Sequence, residues 1–324
     1  ETLQGRRLHE TEIIPLLASL PAGEQQRAFR LSPRRRVILS TNVAETSVTL
    51  PGIRYVIDSG LVRLSRYNPR TRVQRLQIEP VSQASADQRK GRCGRTAPGV
   101  CIRLYSPADF KKRADFTPPE ILRSSLAGVI LTMLDLRLGQ IGEFPFIDPP
   151  SGTAVREGYR ELDTLGAIKP APGSPECAAG TLTPVGRQLA RLPLEPSLGR
   201  ILLAAHNEKA LSDALTVVAA LECDDPRRRP LEKQAEADRL HARFLTPASD
   251  FAAIIRLWRW YHEQTAKASR AAARRLCKDN FLSYPRMRDW LDLREQLARL
   301  CKEQLGFDTA SSAGGDTGLH RALL

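Results

Sequence analysis

The stretch RRRVILSTN, residues 34–42, places three consecutive aliphatic side chains directly before a polar end. The stretch IRYVIDSG, residues 53–60, repeats this arrangement with an apolar run at its centre. Short continuous apolar runs are typical of parallel strands buried on both faces, because helices cover both sides of such a sheet. We therefore predict that the first third of the chain has an α/β fold built on a parallel sheet.

Polar side chains follow both of these predicted strands. Ser40, Thr41 and Asn42 come directly after the first apolar run, and Asp58 follows the second. Ligands bind beyond the carboxyl ends of the strands in open α/β sheets. A binding site is therefore expected at these four residues.

The next segment, LVRLSRYNPRTRVQRLQIEP at residues 61–80, alternates apolar and polar side chains around the turn signal Asn68-Pro69. Alternation is typical of half-buried strands, and the turn signal lies between the two alternating runs. The segment is predicted to form a β-hairpin that carries many arginines.

The pattern becomes helical beyond residue 112. Two apolar helices, a loop rich in Pro, Gly and Ala, and a short strand suggest a winged-helix domain at residues 113–183. Residues 184–305 have a helical pattern almost throughout, which predicts a helical bundle, and residues 306–324 have the composition of a flexible linker. The predicted architecture is an α/β domain at residues 1–112 followed by mostly α domains.

Positive charge is concentrated in the predicted α/β domain. The chain has 49 Lys and Arg against 36 Asp and Glu, a formal net charge of +13, and residues 1–112 hold 20 of the basic and 9 of the acidic residues. This excess favours a polyanionic partner, although charge alone does not separate nucleic acid from anionic lipid or simple solubility. The six cysteines form no C-x-x-C pair, which favours a reduced, cytoplasmic protein, and no apolar run reaches the length of a membrane span.

The segment QRKGRCGR at residues 88–95 holds four cations and two glycines. A helix capped by Ser82 would place Gln88, Arg92 and Arg95 on one face, at i, i+4 and i+7. Two guanidinium groups one turn apart repel each other unless an anion lies between them, and a guanidinium suits a phosphate that accepts two hydrogen bonds. The alternative is a solvated basic helix face.

Four segments occur in the order and spacing of the second RecA-like domain of DEAH-box helicases. They are STNVAETSVT at 40–49, YVIDSG at 55–60, YNPRTRVQRL at 67–76 and QRKGRCGR at 88–95. Further segments resemble the winged-helix and ratchet domains of that family, so nearly the whole chain is covered; these are EILRSSLAGVILTMLDL, LTPVGRQLARLPLEPSLGRILLAA and NFLSYPRMRDWLDLREQL. The resemblance is greatest to bacterial HrpA-type RNA helicases, and it implies ATP-dependent movement along RNA, or unwinding of RNA, in the 3′ to 5′ direction.

The resemblance implies roles for individual residues at the nucleotide. Gln88, Arg92 and Arg95 match the catalytic residues that face ATP, where the two arginines act as fingers on the γ-phosphate. The residues implied in nucleotide binding are Phe29, Ser47, Asp58 and Arg89. Phe29 would stack on the adenine, with ordinary core packing as the alternative. For Asp58 the alternative to nucleotide binding is a purely structural role as a turn aspartate at the end of a strand.

Other residues are implied at the RNA. They are Thr41, Asn42, Thr49, Arg70, Arg72, Arg274 and Arg275. The hairpin arginines would help to part a duplex, unless the hairpin is only a surface ribbon. Arg274 and Arg275 belong to a basic stripe on one predicted helix, for which a solvated face is an equal alternative. One departure is Pro51, which stands where many eukaryotic relatives have an aspartate.

The cofactors implied by the resemblance are ATP and Mg²⁺. The chain contains no G-x-x-x-x-G-K-[ST] loop and no D-E-x-H segment. The phosphate-binding loop and the Mg²⁺ ligands are therefore expected in a preceding RecA-like domain, and we expect this chain to be an inactive fragment of a longer helicase without a metal site of its own. The expected partner is RNA, either single-stranded or a duplex with an overhang, with a ribosome or ribonucleoprotein as a further candidate and no membrane.

Two other classes of function remain open. A stand-alone nucleic-acid-binding module would need only a winged helix and a basic surface, and phosphate-facing arginines would then have no purpose. A regulatory or protein-interaction piece of a degenerate helicase is the other class, and it would be recognised by a broken phosphate-binding loop in the preceding domain.

Overall fold

The structure is a computed structural model that describes residues 10–17, 20, 22–46, 48–68, 71, 73–170, 180–247 and 249–324. The chain divides into two compact units. The first unit comprises Glu1–Ser125 and Phe146–Ser151, and the second comprises Leu126–Pro145 and Gly152–Leu324.

The first unit contains two pairs of parallel strands. Strand β1 (Thr11–Leu16) pairs with β2 (Arg35–Ser40), and β3 (Tyr55–Asp58) pairs with β6 (Val100–Arg103). The predicted parallel strands are therefore confirmed. Short helices accompany them: α1 (Ala22–Arg27), the single turn α2 (Val43–Thr46), α3 (Gln83–Lys90) and α4 (Pro107–Lys112). The small core of this unit is formed by Ile14, Leu16 and Ala28, against which Ile38, Val43, Ala44, Val48 and Leu50 pack.

The prediction that the strand at residues 53–60 is buried on both faces is wrong. Tyr55 is 71% exposed to solvent and Ile57 is 70% exposed. The register pairs Tyr55 with Val100 and Ile57 with Ile102, so that all four apolar residues lie on one face of the pair. A parallel pair needs further elements to cover its second face, and no described residue covers this one.

The predicted arginine-rich hairpin is confirmed. Strand β4 (Leu61–Asn68) runs antiparallel to β5 (Val73–Pro80). Within it Arg66 donates two hydrogen bonds of 2.7 Å to the carboxylate of Glu79, and the Tyr67 N–H donates to the carbonyl of Arg123 at 2.8 Å. The hairpin is thus joined to the segment that follows α4.

Helix α3 begins as predicted and ends earlier than predicted. The Ser82 hydroxyl accepts a hydrogen bond from the Ser85 N–H, which caps the amino end. The helix ends at Lys90, where Gly91 donates back to the Asp87 carbonyl. The prediction that one helix face extends to Arg95 is therefore wrong, because the chain turns at the first of the two helix-weakening glycines.

The second unit is mostly helical, as predicted. Helix α5 (Ala127–Asp135) packs closely on α6 (Gly152–Thr164), because a Cβ at Gly158 would lie 2.7 Å from Cδ1 of Ile130. A small antiparallel pair follows, β7 (Ile168–Pro170) with β8 (Gly180–Leu182). The remaining helices are α7 (Pro184–Ala190), α8 (Pro196–Asn207), α9 (Leu211–Glu222), α10 (Gln234–Ala242), α11 (Asp250–Thr265), α12 (Arg270–Asp279), α13 (Tyr284–Leu305) and α14 (Gly315–Leu323).

Three large aromatic residues of the helical bundle form part of its core. Trp258, Tyr261 and Trp290 are buried, and the rings of Trp258 and Trp290 lie 4.9 Å apart. The indole N–H of Trp290 donates to the carbonyl of Thr216 at 2.9 Å, which satisfies its one polar atom. These rings are therefore packed in the core and do not provide a surface for stacking bases.

The prediction of a flexible tail at residues 306–324 is wrong for its last part. Helix α14 buries Leu319 and Ala322 and packs against α8. A Cβ at Gly318 would lie 2.8 Å from the carbonyl of Glu208, so this helix approaches the backbone closely. The glycine and serine content of this segment suggested a flexible linker, but its last part forms a short amphipathic helix whose glycines allow this close contact.

Candidate functional site

Polar residues lie at the carboxyl end of β2, as predicted from the sequence. The Ser40 hydroxyl donates to the carbonyl of Leu16 on the neighbouring strand at 3.2 Å. Thr41 and Asn42 follow and are exposed. Their carbonyls accept hydrogen bonds from Ala44 and Glu45, which start the single turn α2. The two side chains predicted to contact RNA are therefore exposed beside the turn that carries Glu45.

A buried ion-pair network joins α2, β3 and α3. Arg89 on α3 donates through Nε to Oε2 of Glu45 at 2.9 Å and through Nη1 to Oδ1 of Asp58 at 2.8 Å. The exposed fractions of these side chains are 15% for Arg89, 10% for Glu45 and 0% for Asp58. Nη1 also donates to the carbonyl of Leu61 at 3.2 Å. The guanidinium predicted to bind nucleotide is therefore occupied by internal partners.

Asp58 is the buried centre of this network. Its carboxylate accepts hydrogen bonds from the Gly60 N–H at 2.9 Å and from the Tyr105 hydroxyl at 2.7 Å. Burial alone would raise the pKa of Asp58, but the hydrogen bonds from Gly60, Arg89 and Tyr105 outweigh it and hold the pKa below its ordinary value. Burial and the bond to Asp58 raise the pKa of Tyr105 to about 12. Complete burial favours the turn-aspartate alternative over direct contact with a nucleotide.

The two predicted arginine fingers lie side by side after the end of α3. Nη1 of Arg92 donates to the carbonyl of Val48 at 3.0 Å, and Nη1 of Arg95 donates to the hydroxyl of Thr49. Burial and the charge of Arg95 lower the pKa of Arg92, and the charge of Glu45 offsets part of this effect. In the described part of the chain, neither guanidinium forms an ion pair with a carboxylate. Two neighbouring cations that lack an acid partner are suited to bind an anion.

Gln88 and Phe29 also lie in the first unit. Gln88 is exposed in the last turn of α3. Phe29 follows α1 and is 39% exposed, so the prediction of a stacking surface for adenine stays open. The guanidinium of Arg36 donates to the carbonyls of Ala28, at 3.3 Å, and Pro51, at 2.8 Å. This bridge ties the turn that carries Phe29 to the segment that follows Thr49.

The other predicted residues lie elsewhere. Ser47, Arg70 and Arg72 are outside the described residues. Arg274 and Arg275 are exposed on α12 of the second unit, where the guanidinium of Arg274 lies 5.4 Å from the centre of the Tyr284 ring. Both arginines are thus available to a ligand in solution.

Sequence reasoning did not identify Glu45, Tyr105 or Arg113 as parts of the site. Arg113 lies 3.8 Å from the centre of the Tyr105 ring and donates to the carbonyl of Gly60 at 2.8 Å, which supports the turn around Asp58. These partners are 31 to 53 residues apart in the chain. The only available signal was the acidic Glu45 inside a segment that otherwise resembled an RNA contact.

Close packing of the chain on Cys93 fixes the segment that carries the two arginines. A Cβ at Gly99 would lie 2.8 Å from the Cβ of Cys93 and closer still to its carbonyl oxygen. We expect Gly99→Ala to lower the free energy of unfolding by about 2 kcal/mol, because this contact cannot widen without a backbone shift. Urea unfolding followed by circular dichroism measures the change. Gly94→Ala is the matched control, since a Cβ there meets no atom within 4 Å; equal effects of the two changes would contradict this explanation.

A metal ion needs a set of ligand side chains that lie close together. Among the described residues, no group of three or more His, Cys, Asp or Glu side chains could hold one. Likewise, no described helix is long and apolar enough to cross a membrane. No chemical step is therefore assigned to a metal held by the described residues alone.

Two family models match the chain in order. The helicase conserved C-terminal domain matches residues 1–97, and the ratchet-like helicase associated domain (HA2) matches residues 195–283. The first match contains Glu45, Asp58, Arg89, Arg92 and Arg95, while Tyr105 and Arg113 lie beyond its end; the second match lies within the helical bundle.

Helicases from bacteria and mammals are similar to nearly the whole chain. The ATP-dependent RNA helicase HrpA of Escherichia coli (strain K12) is 48% identical over 324 residues, which are 100% of this chain and 25% of that protein. The HrpA homolog of Haemophilus influenzae is 47% identical over 327 residues, again 100% of this chain and 25% of the relative. Human ATP-dependent RNA helicase DHX33 is 33% identical over 313 residues, which are 96% of this chain and 43% of that protein.

The chain thus spans about a quarter of the length of these two bacterial helicases. The α/β unit, with its parallel strands and hairpin, is a RecA-like helicase domain, and a helical ratchet-like region follows it. The chain thus contains a helicase conserved C-terminal domain followed by a ratchet-like helicase associated domain, and over its full length it is similar to a stretch of the ATP-dependent RNA helicase HrpA.

Proposed function

We propose that this chain is the C-terminal part of the motor core of an ATP-dependent RNA helicase. In this role Arg92 and Arg95 act as fingers that stabilise the charge on the γ-phosphate of ATP. The observation that carries the proposal is the pair itself: within the described residues, the two guanidinium groups donate hydrogen bonds to the neutral carbonyl of Val48 and the neutral hydroxyl of Thr49 and form no ion pair with a carboxylate.

The pair has the chemistry that a terminal phosphate needs. Each guanidinium has five N–H donors, so a single bond to Val48 or Thr49 leaves donors for phosphate oxygens. The lowered pKa of Arg92 reflects burial and repulsion from Arg95, and an anion between them would relieve this repulsion. By contrast, Arg89 already has two carboxylates as partners. The three neighbouring arginines therefore have different roles.

ATP would supply the phosphoryl group and the free energy of its hydrolysis, and it would be held by a second RecA-like domain that carries the phosphate-binding loop and the Mg²⁺ ligands. Arg92 and Arg95 would approach the terminal phosphate from this chain, with Gln88 beside them. Phe29 would contact the base. On this proposal the chain is inactive alone, because it lacks the phosphate-binding loop.

RNA is the proposed polyanionic partner of both units. Thr41, Asn42 and Thr49 are exposed beside the arginine site, and Arg274 and Arg275 are exposed on α12. Contacts from hydroxyl, amide and guanidinium groups to the sugar-phosphate backbone do not depend on base sequence. Movement of these residues with the nucleotide state would step the RNA through the protein, in the 3′ to 5′ direction that the family resemblance implies.

The direct test is ATP hydrolysis by the complete protein that contains this chain, measured with and without single-stranded RNA. We expect turnover that RNA stimulates, and no turnover by the chain of 324 residues alone. Binding of RNA without any hydrolysis by the complete protein would support a nucleic-acid-binding module instead. Hydrolysis by the isolated chain would contradict the assignment of the phosphate-binding loop to another domain.

The basic face of α12 provides a separate test of RNA binding. Replacing both Arg274 and Arg275 with alanine is expected to weaken binding of an oligouridine and to reduce the slope of log K against log salt by about 1.4, since each phosphate contact to a single strand contributes about 0.7. Fluorescence anisotropy over a salt series measures this slope. Arg256→Ala with Arg259→Ala, on α11, is the control pair, and an unchanged slope in the α12 variant would mean that this face is only solvated.

A further inference from the structure

Four residues form a continuous series of direct contacts between the proposed RNA site and the proposed ATP site. The N–H of Glu45 donates to the carbonyl of Asn42 at 2.9 Å. The side chain of Glu45 pairs with Arg89 at 2.9 Å, and the N–H of Arg92 donates to the carbonyl of Arg89 at 3.0 Å. At one end of this series Asn42 is a proposed RNA contact, and at the other end Arg92 is a proposed arginine finger.

The middle link is the one that side chains alone provide. Asn42 and Glu45 are held by one turn of backbone, and so are Arg89 and Arg92, but 44 residues separate Glu45 from Arg89. Only 10% of the Glu45 side chain and 15% of the Arg89 side chain are exposed. Little water reaches this pair, so it is screened less than a surface pair and keeps its geometry.

Asp58 holds Arg89 in place for this pairing. The second ion pair, at 2.8 Å, comes from the buried end of β3, so the guanidinium spans two carboxylates on two elements. A guanidinium can do this because Nε and Nη1 point in different fixed directions, and a lysine ammonium lacks this fork. Movement of α2 relative to β3 would therefore be transmitted to α3 and to the arginines that follow it.

We infer that Arg89 is a positioning residue, which transmits movement between the RNA contacts beside α2 and the two arginine fingers after α3. It is thus not the nucleotide ligand that the family resemblance implied. The inference rests on the proposed function, since it names how that function's two sites are coupled. Glu45 is its partner in this role, because its carboxylate pairs with Arg89.

The test is a double-mutant cycle with Glu45→Gln and Arg89→Lys in the complete protein. The measured quantity is the factor by which oligouridine stimulates ATP turnover. We expect each single change to reduce this factor about tenfold, because small misplacements of catalytic groups have effects of this order or larger. The double variant should lose no more than the worse single variant, since both changes break the same link.

Affinity for a nonhydrolysable ATP analogue in the absence of RNA separates positioning from nucleotide binding. A positioning role predicts that Glu45→Gln changes this affinity less than about twofold, because no ligand contact is removed. If Arg89 bound nucleotide, losses in the two single variants would add, and Arg89→Lys would weaken binding of the analogue without RNA. Either result would overturn the inference.

Two controls keep the outcomes distinct. Glu12→Gln removes a carboxylate that pairs with Arg27 on the surface of the same unit, where 31% and 52% of the two side chains are exposed, and should leave the stimulation factor unchanged. Arg95→Ala tests the proposed function itself. If Arg95→Ala abolishes turnover while Glu45→Gln leaves RNA stimulation intact, the positioning role alone fails. If Arg95→Ala has no effect on turnover, the proposed function fails, and the positioning role that rests on it fails too.

Discussion

Replacing Arg95 with alanine is expected to reduce the RNA-stimulated ATP turnover of the complete protein about a thousandfold or more. Arginine fingers of phosphoryl-transfer enzymes contribute on the order of 10³ to 10⁵ in rate, because they neutralise charge that develops on the transferred group. Arg95 is exposed and donates to the Thr49 hydroxyl, and no carboxylate of the described residues forms an ion pair with it. Steady-state kcat at saturating ATP and RNA measures the effect.

The size of the loss should depend on hydrogen-bond geometry as well as on charge. Arg95→Lys keeps the charge but loses the planar fork, so its turnover should fall between those of the original protein and of Arg95→Ala. Arg34→Ala, which removes an exposed arginine that precedes β2, is the control for general loss of positive charge. Turnover of Arg95→Ala within about threefold of the control would show that this arginine does not act on the phosphate.

Local sequence patterns predicted the strands and the hairpin of the first unit well. The apolar runs of β2 and β3 form parallel strands, and each strand ends where its apolar run ends. The polar residues that follow each run therefore lie at a strand end. The hairpin at Leu61–Asn68 and Val73–Pro80 follows from approximate alternation of apolar and polar side chains around a turn signal. In both cases the information lies within a few consecutive residues.

Features that depend on distant neighbours were predicted less well. Exposure of Tyr55 and Ile57 depends on which elements cover one face of β3, and the run YVI itself holds no such information. The early end of α3 at Lys90 reflects competition between a helical face and turns allowed by Gly91, which spacing alone does not resolve. The burial of Leu319 in α14 depends on α8, more than a hundred residues earlier in the chain.

The arginine cluster shows the same division within a single motif. Spacing correctly brought Arg92 and Arg95 together, although through turns and not on one helical face. It could not show that Arg89 faces inward, because its partners Glu45 and Asp58 come from two other elements. Three arginines at equal intervals therefore differ in environment because of the tertiary structure around them.

Arg89→Ala is expected to lower the stability of the first unit by about 3 kcal/mol. Removing one partner of a buried ion pair leaves the other charge without compensation, and Asp58 is completely buried. Hydrogen–deuterium exchange of the peptides that contain β3 and α3 measures this loss. Amides that exchange only when the unit unfolds should exchange about a hundredfold faster in the variant. Arg27→Ala, which breaks the exposed pair with Glu12, should change exchange only slightly.

The three tryptophans provide an internal reference for this measurement, because all of them lie in the second unit. Loss of the Arg89 ion pairs should accelerate exchange in the first unit while exchange around Trp290 stays unchanged. Adding Asp58→Asn to Arg89→Ala should restore part of the loss, since the double variant no longer buries the Asp58 charge without its arginine partner, although Glu45 still lacks Arg89. Equal acceleration in both units, or no recovery in the double variant, would contradict a local network centred on Asp58.

The same network predicts a difference in acid sensitivity. The pKa of Asp58 lies below its ordinary value of 3.8 despite burial, because Gly60, Arg89 and Tyr105 donate to the carboxylate. A lowered pKa in the folded state adds stability above pH 4, and this contribution is lost as the pH falls through the folded-state pKa. Without Arg89 the pKa is lowered less, so the stability of Arg89→Ala should fall less between pH 7 and pH 3 than that of the unmodified chain. An equally steep decline would mean that Arg89 does not stabilise the charged form of Asp58.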